Sequence, residues 1–244
     1  MTARTFWFEP WVEELYDIRR NLEKGSVKVF RQGAVPYTIR TSRTKIRCWD
    51  PRDARRLQDA INDSLESLLP WMPWAKDEPK QYRSKIETIR FFRGSFDLGK
   101  DFVFGIFDHE ESEVLGGCGL HTRGGAYSLE IGYWINREYQ NRGYATEVTR
   151  ALMKVAFELS GIDNVRICCD VKNAASLRVI EKVGFEKEGI LLHQQKNTND
   201  EFQDFQVAVF LRDSYTGSEI SRQEIVAYDA VGDTIEFDED TENE

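Results

Sequence analysis

"YQNRGYATEVTRALMKVAFE", residues 139–158, decides how the rest of the chain is read. From Tyr144 onward it has the pattern of an amphipathic helix. Tyr144, Val148, Leu152, Val155 and Leu159 recur at helical spacing, while Glu147, Arg150, Lys154 and Glu158 take the other face. The beginning is different. Gln140, Asn141, Arg142 and Gly143 bring a positive charge and a permissive backbone, with no acid in the first few positions, to the place where a helix exposes unpaired N–H groups. Such an end favours a phosphate. Gly143 removes the side chain that would block close approach, Ala145 is small for the same reason, and Arg142 adds charge. The competing reading is a glycine needed only for the bend.

Working outward, the stretch before this helix alternates like a strand, "YSLEIGYWI" (127–135), and two more such runs precede it, 101–107 and 113–121. The connections "DHEES" and "TRGGA" suit hairpins. Earlier still, "KIRCW" reads as a strand, and "DPRDARRLQDAINDSLESLL" as a helix capped by Asp50 before Pro51. A proline-broken loop, "PWMPWAKDEP", leads to a second helix from about 79 to 92. After residue 158 come a buried strand (164–171), a short helix (174–183) and a strand pair (185–193, 202–212). "EIVAYDAVGDTIEF" adds a strand or packs along an edge. The order β-α-α-β-β-β-α-β-α-β-β describes an α+β, or mixed α/β, sheet with helices on its faces.

The chain divides into an N-terminal extension (1–44), a main domain (45–212) and a C-terminal extension (213–244). In the first, "FWFEPWVEELYDIRRNLEKG" suggests an aromatic-rich helix that covers the body or forms a homodimer contact. The last holds eight of the 42 acids in residues 229–244, leaving a nearly neutral body of 34 acids against 33 bases. The acidity is that of a tail, and it argues against nucleic-acid binding. There is no apolar run of 18 residues and no secretion signal in the first thirty, so no membrane partner and a cytoplasmic location are expected. Cys48, Cys118, Cys168 and Cys169 lack metal-ligand spacing and read as reduced core residues; no metal is expected.

Rival phosphate motifs fail. No G-x-x-x-x-G-K-[ST] occurs, and "GGCGLHT" is not followed by a helix. "QNRGYA" instead resembles the Q/R-x-x-G-x-G/A motif of the GNAT acyl-CoA N-acyltransferases. "RCWDPRDA", "SLESLLPWMPWA", "LEIGYWINREYQNRGYATEV" and "NAASLRVIEKVGFEKEG" are similar to the RimJ/RimL-like branch, in consistent order over about 45–212. The resemblance implies a GNAT fold: a mostly antiparallel twisted sheet, splayed at its middle, with helices on both faces. Acetyl-CoA would lie in that split. Its pyrophosphate would rest on the amides of Arg142, Gly143, Tyr144, Ala145 and Thr146, beside Gln140 and Asn141. Its pantetheine arm would pair with the backbone of Tyr133, Trp134 and Ile135, where a splayed strand leaves groups unpaired.

The resemblance further implies that Asn173 bonds to the pantetheine and that the Ser176 hydroxyl protonates the departing thiolate; an Asn173 that only caps its helix is the alternative. Glu130, on the strand face of Gly132 and Trp134, would serve as base or hold an ammonium, or else merely pair with a surface Lys or Arg. Trp71, Met72 and Trp74 would wall the acceptor pocket, with Asp77 and Glu78 drawing in a cation, or else plug core against loop. His121 ends a strand facing the same region and is the one histidine worth testing there. The expected reaction is direct transfer of acetyl to a primary amine, a protein or peptide α-amine or else a small molecule. An α-amine costs about 1.4 kcal/mol to deprotonate at pH 7 and a lysine about 4.6, so a site without a strong base leans to the former. A non-catalytic acyl-CoA-binding module is the alternative from another class.

Overall fold

The computed structural model describes residues 35–159 and 161–237. The helix expected near the N-terminus lies outside them, as does the end of the acidic tail. Ten strands and four α-helices follow in the order β1 (Thr38–Arg40), β2 (Lys45–Cys48), α1 (Ala54–Leu68), α2 (Tyr82–Asp97), β3 (Phe102–Phe107), β4 (Val114–His121), β5 (Ser128–Ile135), α3 (Tyr144–Glu158), β6 (Asn164–Asp170), α4 (Ala174–Val183), β7 (Glu186–Lys196), β8 (Phe202–Leu211), β9 (Val226–Tyr228) and β10 (Thr234–Ile235). They form one sheet in the order β10-β9-β1-β2-β3-β4-β5-β6-β8-β7. The fold is α+β, as expected.

Alternation builds a core on each face. In β5, Leu129, Ile131 and Ile135 are buried with α3 and α4, against Val148, Leu152 and Val155. The other core joins Trp49 and Phe107 to Leu57, Ile61 and Ile89 of α1 and α2, with Trp134 packed against it. Asp50 receives the Arg52 N–H at 2.9 Å while Asp53 receives the Asp50 N–H at 3.0 Å, a reciprocal cap on the turn that leads into α1.

One junction departs from regular pairing. Every neighbouring pair is antiparallel except β5–β6, which is parallel and short: Ser128, Leu129 and Glu130 pair with Asn164, Val165 and Arg166, and no further. Beyond that point β6 continues along β8 and β5 along β4. The strands diverge, and Ile131–Ile135 face an opening on one edge.

The sheet also runs past both boundaries read from the sequence. β1 pairs with β2 and, on its other side, with β9, bringing Thr38 opposite Tyr228. Three residues closed by the polar turn Thr41–Thr44 give too short a pattern to read. The segment after β8 is equally integral. Tyr215 stacks on Phe157 with ring centroids 4.8 Å apart, Ile220 is buried, and Lys154 donates to the Ser221 carbonyl at 2.6 Å. This covering explains why Thr149, Met153 and Phe157 of α3 are buried along with its expected apolar stripe. All four cysteines are free, as expected.

Candidate active site

The α3 start has the geometry of an anion site. Asn141 and Gly143 adopt positive φ of 60° and 84°, values that favour glycine at the second. The first bond of the helix runs from the Glu147 N–H to the Gly143 carbonyl at 3.1 Å, so the N–H groups of Tyr144, Ala145 and Thr146 precede the ladder. No side chain caps them.

One expectation is corrected here: an acid does occupy the first turn. It is Glu147, and its carboxylate is taken up by Arg43, with Nη2 at 2.5 Å and Nε at 2.6 Å, and by the Thr41 hydroxyl at 2.5 Å. Arg43 also donates to the Arg142 carbonyl at 3.0 Å and lies 4.6 Å over the Tyr144 ring. It therefore neutralises Glu147 and braces the turn. Nothing in the sequence links a residue of the N-terminal extension to a helix a hundred positions later, so Arg43 escaped notice.

From this turn a cleft of about 400 Å³ runs to the split. Tyr133, Trp134, Ile135, Gln140, Asn141, Gly143, Tyr144, Ala145, Thr146, Asn173 and Ser176 line it, together with Trp71 and Met72. Arg142 is not among them; its guanidinium sits 5.4 Å over Tyr139. The Gln140 amide donates to the Ile135 carbonyl at 3.1 Å and so ties the turn to the end of β5.

Asn173 accepts the Ser176 N–H at 3.1 Å, the capping bond of α4. The Tyr133 hydroxyl is buried without a hydrogen-bond partner. Burial pushes it up to about 12, with the nearby Ser176 side chain acting in the other direction. It is a protonated group on the α4 side of the split, which the sequence reading used only for its backbone.

The other face of β5 is arranged differently. Glu130 is held by Arg123, with Nη2 at 2.5 Å and Nε at 3.1 Å, so the plain ion-pair alternative is the arrangement observed. His121 stands opposite it in register and contacts Asp101. Trp74 packs edge-on against Trp134 at 6.3 Å and is absent from the cleft lining. Glu78 does not draw in a cation from outside. It is buried in an ion pair with Lys85 and also receives the Lys80 N–H at 2.7 Å. Burial lowers the Lys85 ammonium from its usual value despite this partner. The loop that carries these residues is pinned by Gln203, which donates to the Pro70 carbonyl at 3.1 Å and to the Asp170 carboxylate at 2.5 Å.

An uncapped helix start with a left-handed glycine, in a chain whose parallel strand pair opens after three residues, is what the resemblance implies. A family model described as an acetyltransferase (GNAT) domain matches residues 43–186. This chain belongs to the GNAT acetyltransferase family. Among relatives, the Escherichia coli (strain K12) ribosomal protein uS5-alanine N-acetyltransferase is 28% identical over 166 residues, 66% of this chain and 84% of that one. YdaF of Bacillus subtilis (strain 168) is 33% identical over 147 residues, 59% of this chain and 78% of YdaF. The solved structure of Mycobacterium smegmatis RimJ in complex with CoA-disulfide has a TM-score of 0.66 over 77% of this chain and 93% of that one. At 20% identity it shows a shared fold. The GNAT chain described here is thus an acetyl-CoA-dependent N-acetyltransferase with RimJ/RimL-like relatives.

Proposed function

We propose that this GNAT enzyme transfers acetyl from acetyl-CoA to the α-amine of a protein or peptide by direct attack in a ternary complex. The observation that supports the acceptor class is that two carboxylates expected to serve the acceptor are already committed, Glu130 to Arg123 and Glu78 to Lys85. An ion-paired carboxylate is a weak base, which favours an amine of low pKa. The uS5-alanine N-acetyltransferase among the relatives, named for an alanine acceptor, supports the same class.

In this reading the pyrophosphate rests on the amides of Gly143–Thr146 and the pantetheine arm lies along Tyr133–Ile135. Ser176, beside the Tyr133 hydroxyl, supplies the proton for the thiolate. Burial pushes the Cys48 and Cys169 thiols up to about 11 and Cys168 to about 12, so these cysteines stay protonated at neutral pH and are poor nucleophiles. This favours direct attack over an acyl-enzyme.

The test is release of free thiol from acetyl-CoA with an alanine-led peptide, a peptide whose only amine is a lysine side chain, and compact amines. The alanine-led peptide is expected to turn over at least tenfold faster than the lysine peptide. Preference for compact amines would replace this acceptor class with a metabolite. Ser176→Ala is expected to lower kcat by about 100-fold, with coenzyme A affinity unchanged by calorimetry; an unaltered kcat removes Ser176 from the mechanism.

A further inference from the structure

Three register pairs stand in a row on the α1/α2 face of the sheet: His121 opposite Glu130, Gly119 opposite Gly132, and Gly117 opposite Trp134. The His121 imidazole is folded back over the middle pair. A Cβ built on Gly119 would come within 2.9 Å of its Cε1 and Nε2, and one on Gly132 within 3.0 Å of its Nε2. Side chains at either position would displace the ring, so the two glycines form a floor for it. The other ring nitrogen, Nδ1, lies 2.8 Å from the Asp101 carboxylate. A carboxylate accepts, so Nδ1 carries a hydrogen, and Nε2 is the ring nitrogen left to exchange a proton.

The position of that nitrogen matters. Gly132 is the second residue past Glu130, where β5 parts from β6. The Ser176 and Tyr133 side chains line the cleft from the α3/α4 face, whereas the His121 ring lies over Gly132 on the opposite face and outside that lining. The charged and titratable groups on this part of the face include Asp101, Glu130, Arg123, Cys168 and, opposite Glu130, Arg166, which is held by Glu188. Of these, Asp101 is bonded to it, Glu130 and Arg123 are paired to each other, and Cys168 remains a thiol.

The geometry points to His121 as the base that receives the acceptor amine's proton, with Asp101 as its positioning residue; this rests on the acetyl-transfer reading above. His121 Nε2 takes a proton from the bound ammonium, and the freed amine forms the C–N bond to the thioester carbon and gives up its remaining surplus proton to solvent. The C–S bond breaks, and the thiolate is protonated from the hydroxyl side. His121 then releases its proton to solvent and the donor hydroxyl regains one, leaving amide and free thiol. Acid and base thus work from opposite faces of one opened strand.

Two measurements test this. The first is the pH profile of kcat/KM with an alanine-led peptide. A free α-amine is about one-tenth neutral at pH 7, so His121→Gln is expected to lose at least ~10-fold there. The loss should close to about twofold above pH 9, where the amine needs no base, and coenzyme A affinity should stay at the wild-type value. A loss equal at every pH, or under threefold at pH 7, overturns the assignment. The second measurement needs no acceptor: ¹⁵N–¹H correlation spectra of the imidazoles at pH 8, with three histidines in the chain and His121→Gln giving the assignment. Bare Nε2 in the wild type, lost in Asp101→Asn, is expected; hydrogen on Nε2 overturns the assignment. If no peptide or amine releases thiol, the acceptor reading fails, and the tautomer still decides whether His121 has a nitrogen able to take a proton.

Discussion

Two helix starts in this molecule solve the same problem in opposite ways. Both α1 and α3 follow a strand of the sheet, and both expose N–H groups that need acceptors. At the turn Pro51–Asp53 that leads into α1 the chain supplies its own. Asp50 and Asp53 cap reciprocally, and Asp53 is also bound by Arg47 at 2.7 Å and by Arg56. At α3 the residues from Gln140 to Thr146 include no acid, Gly143 takes the left-handed conformation, and the single acid of the first turn is consumed by Arg43. One end is closed by its own side chains; the other is uncapped, as the proposed seat of the pyrophosphate requires. Local chemistry distinguishes a structural helix end from a binding one.

The contrast can be broken from either side. The largest effect is expected at α1. Asp53→Ala removes the partner of Arg47 and Arg56 from a site where the Asp53 side chain is 2% exposed, and should cost about 3 kcal/mol in chemical denaturation, without altering coenzyme A affinity. Burial works against the Asp53 carboxylate, yet its hydrogen bonds and ion pairs win and hold it below the usual range. A lowered folded-state pKa contributes stability above the unfolded value near 3.9, lost as pH falls through the folded one. Asp53→Asn should therefore flatten the fall in stability below pH 4, as measured by acid denaturation.

Gly143→Asp would convert the open end toward the closed kind. The new carboxylate competes for the N–H groups and repels phosphate, so calorimetry should show coenzyme A binding weakened about 100-fold. A positive-φ site strained by a side chain should lower Tm by a few degrees. Undiminished binding would mean that the glycine serves only the bend. The smallest effect belongs to α4, an intermediate case that faces the cleft yet is capped. Asn173→Ala should cost about 1 kcal/mol in thermal unfolding. If coenzyme A affinity stays constant in that variant, Asn173 is a cap alone; if affinity falls, its side chain serves the ligand too.

Much of this was legible in the sequence where the determining chemistry is local. α4 was read to its observed limits of 174–183, because Asn173 and Gly184 mark its two ends in the chain. The open turn at 140–145 and the alternation of β3 to β5 were equally plain. What stayed hidden depends on partners distant in sequence. Arg43 and Glu147 meet only after the β1–β2 turn packs beside α3. β1 has three residues and no turn glycine to announce it. The burial of Met153 and Phe157 follows from the segment around Tyr215 and Ile220, not from the helix's own periodicity. Acidic side chains near the split looked free in the sequence because Arg123 and Lys85 could equally have faced solvent.

The pairing of β1 with β9 carries a consequence for the order in which the protein is assembled during synthesis. Thr38 leaves the ribosome long before its neighbour on that side, Tyr228. The sheet's β1 edge therefore waits, one row of peptide groups unsatisfied, until β9 has been made. Contacts so far apart along the chain form slowly. Premature termination after Arg212 would strand that edge and bare the outer side of α3, yielding a nascent product that still contains the whole matched family region but invites aggregation.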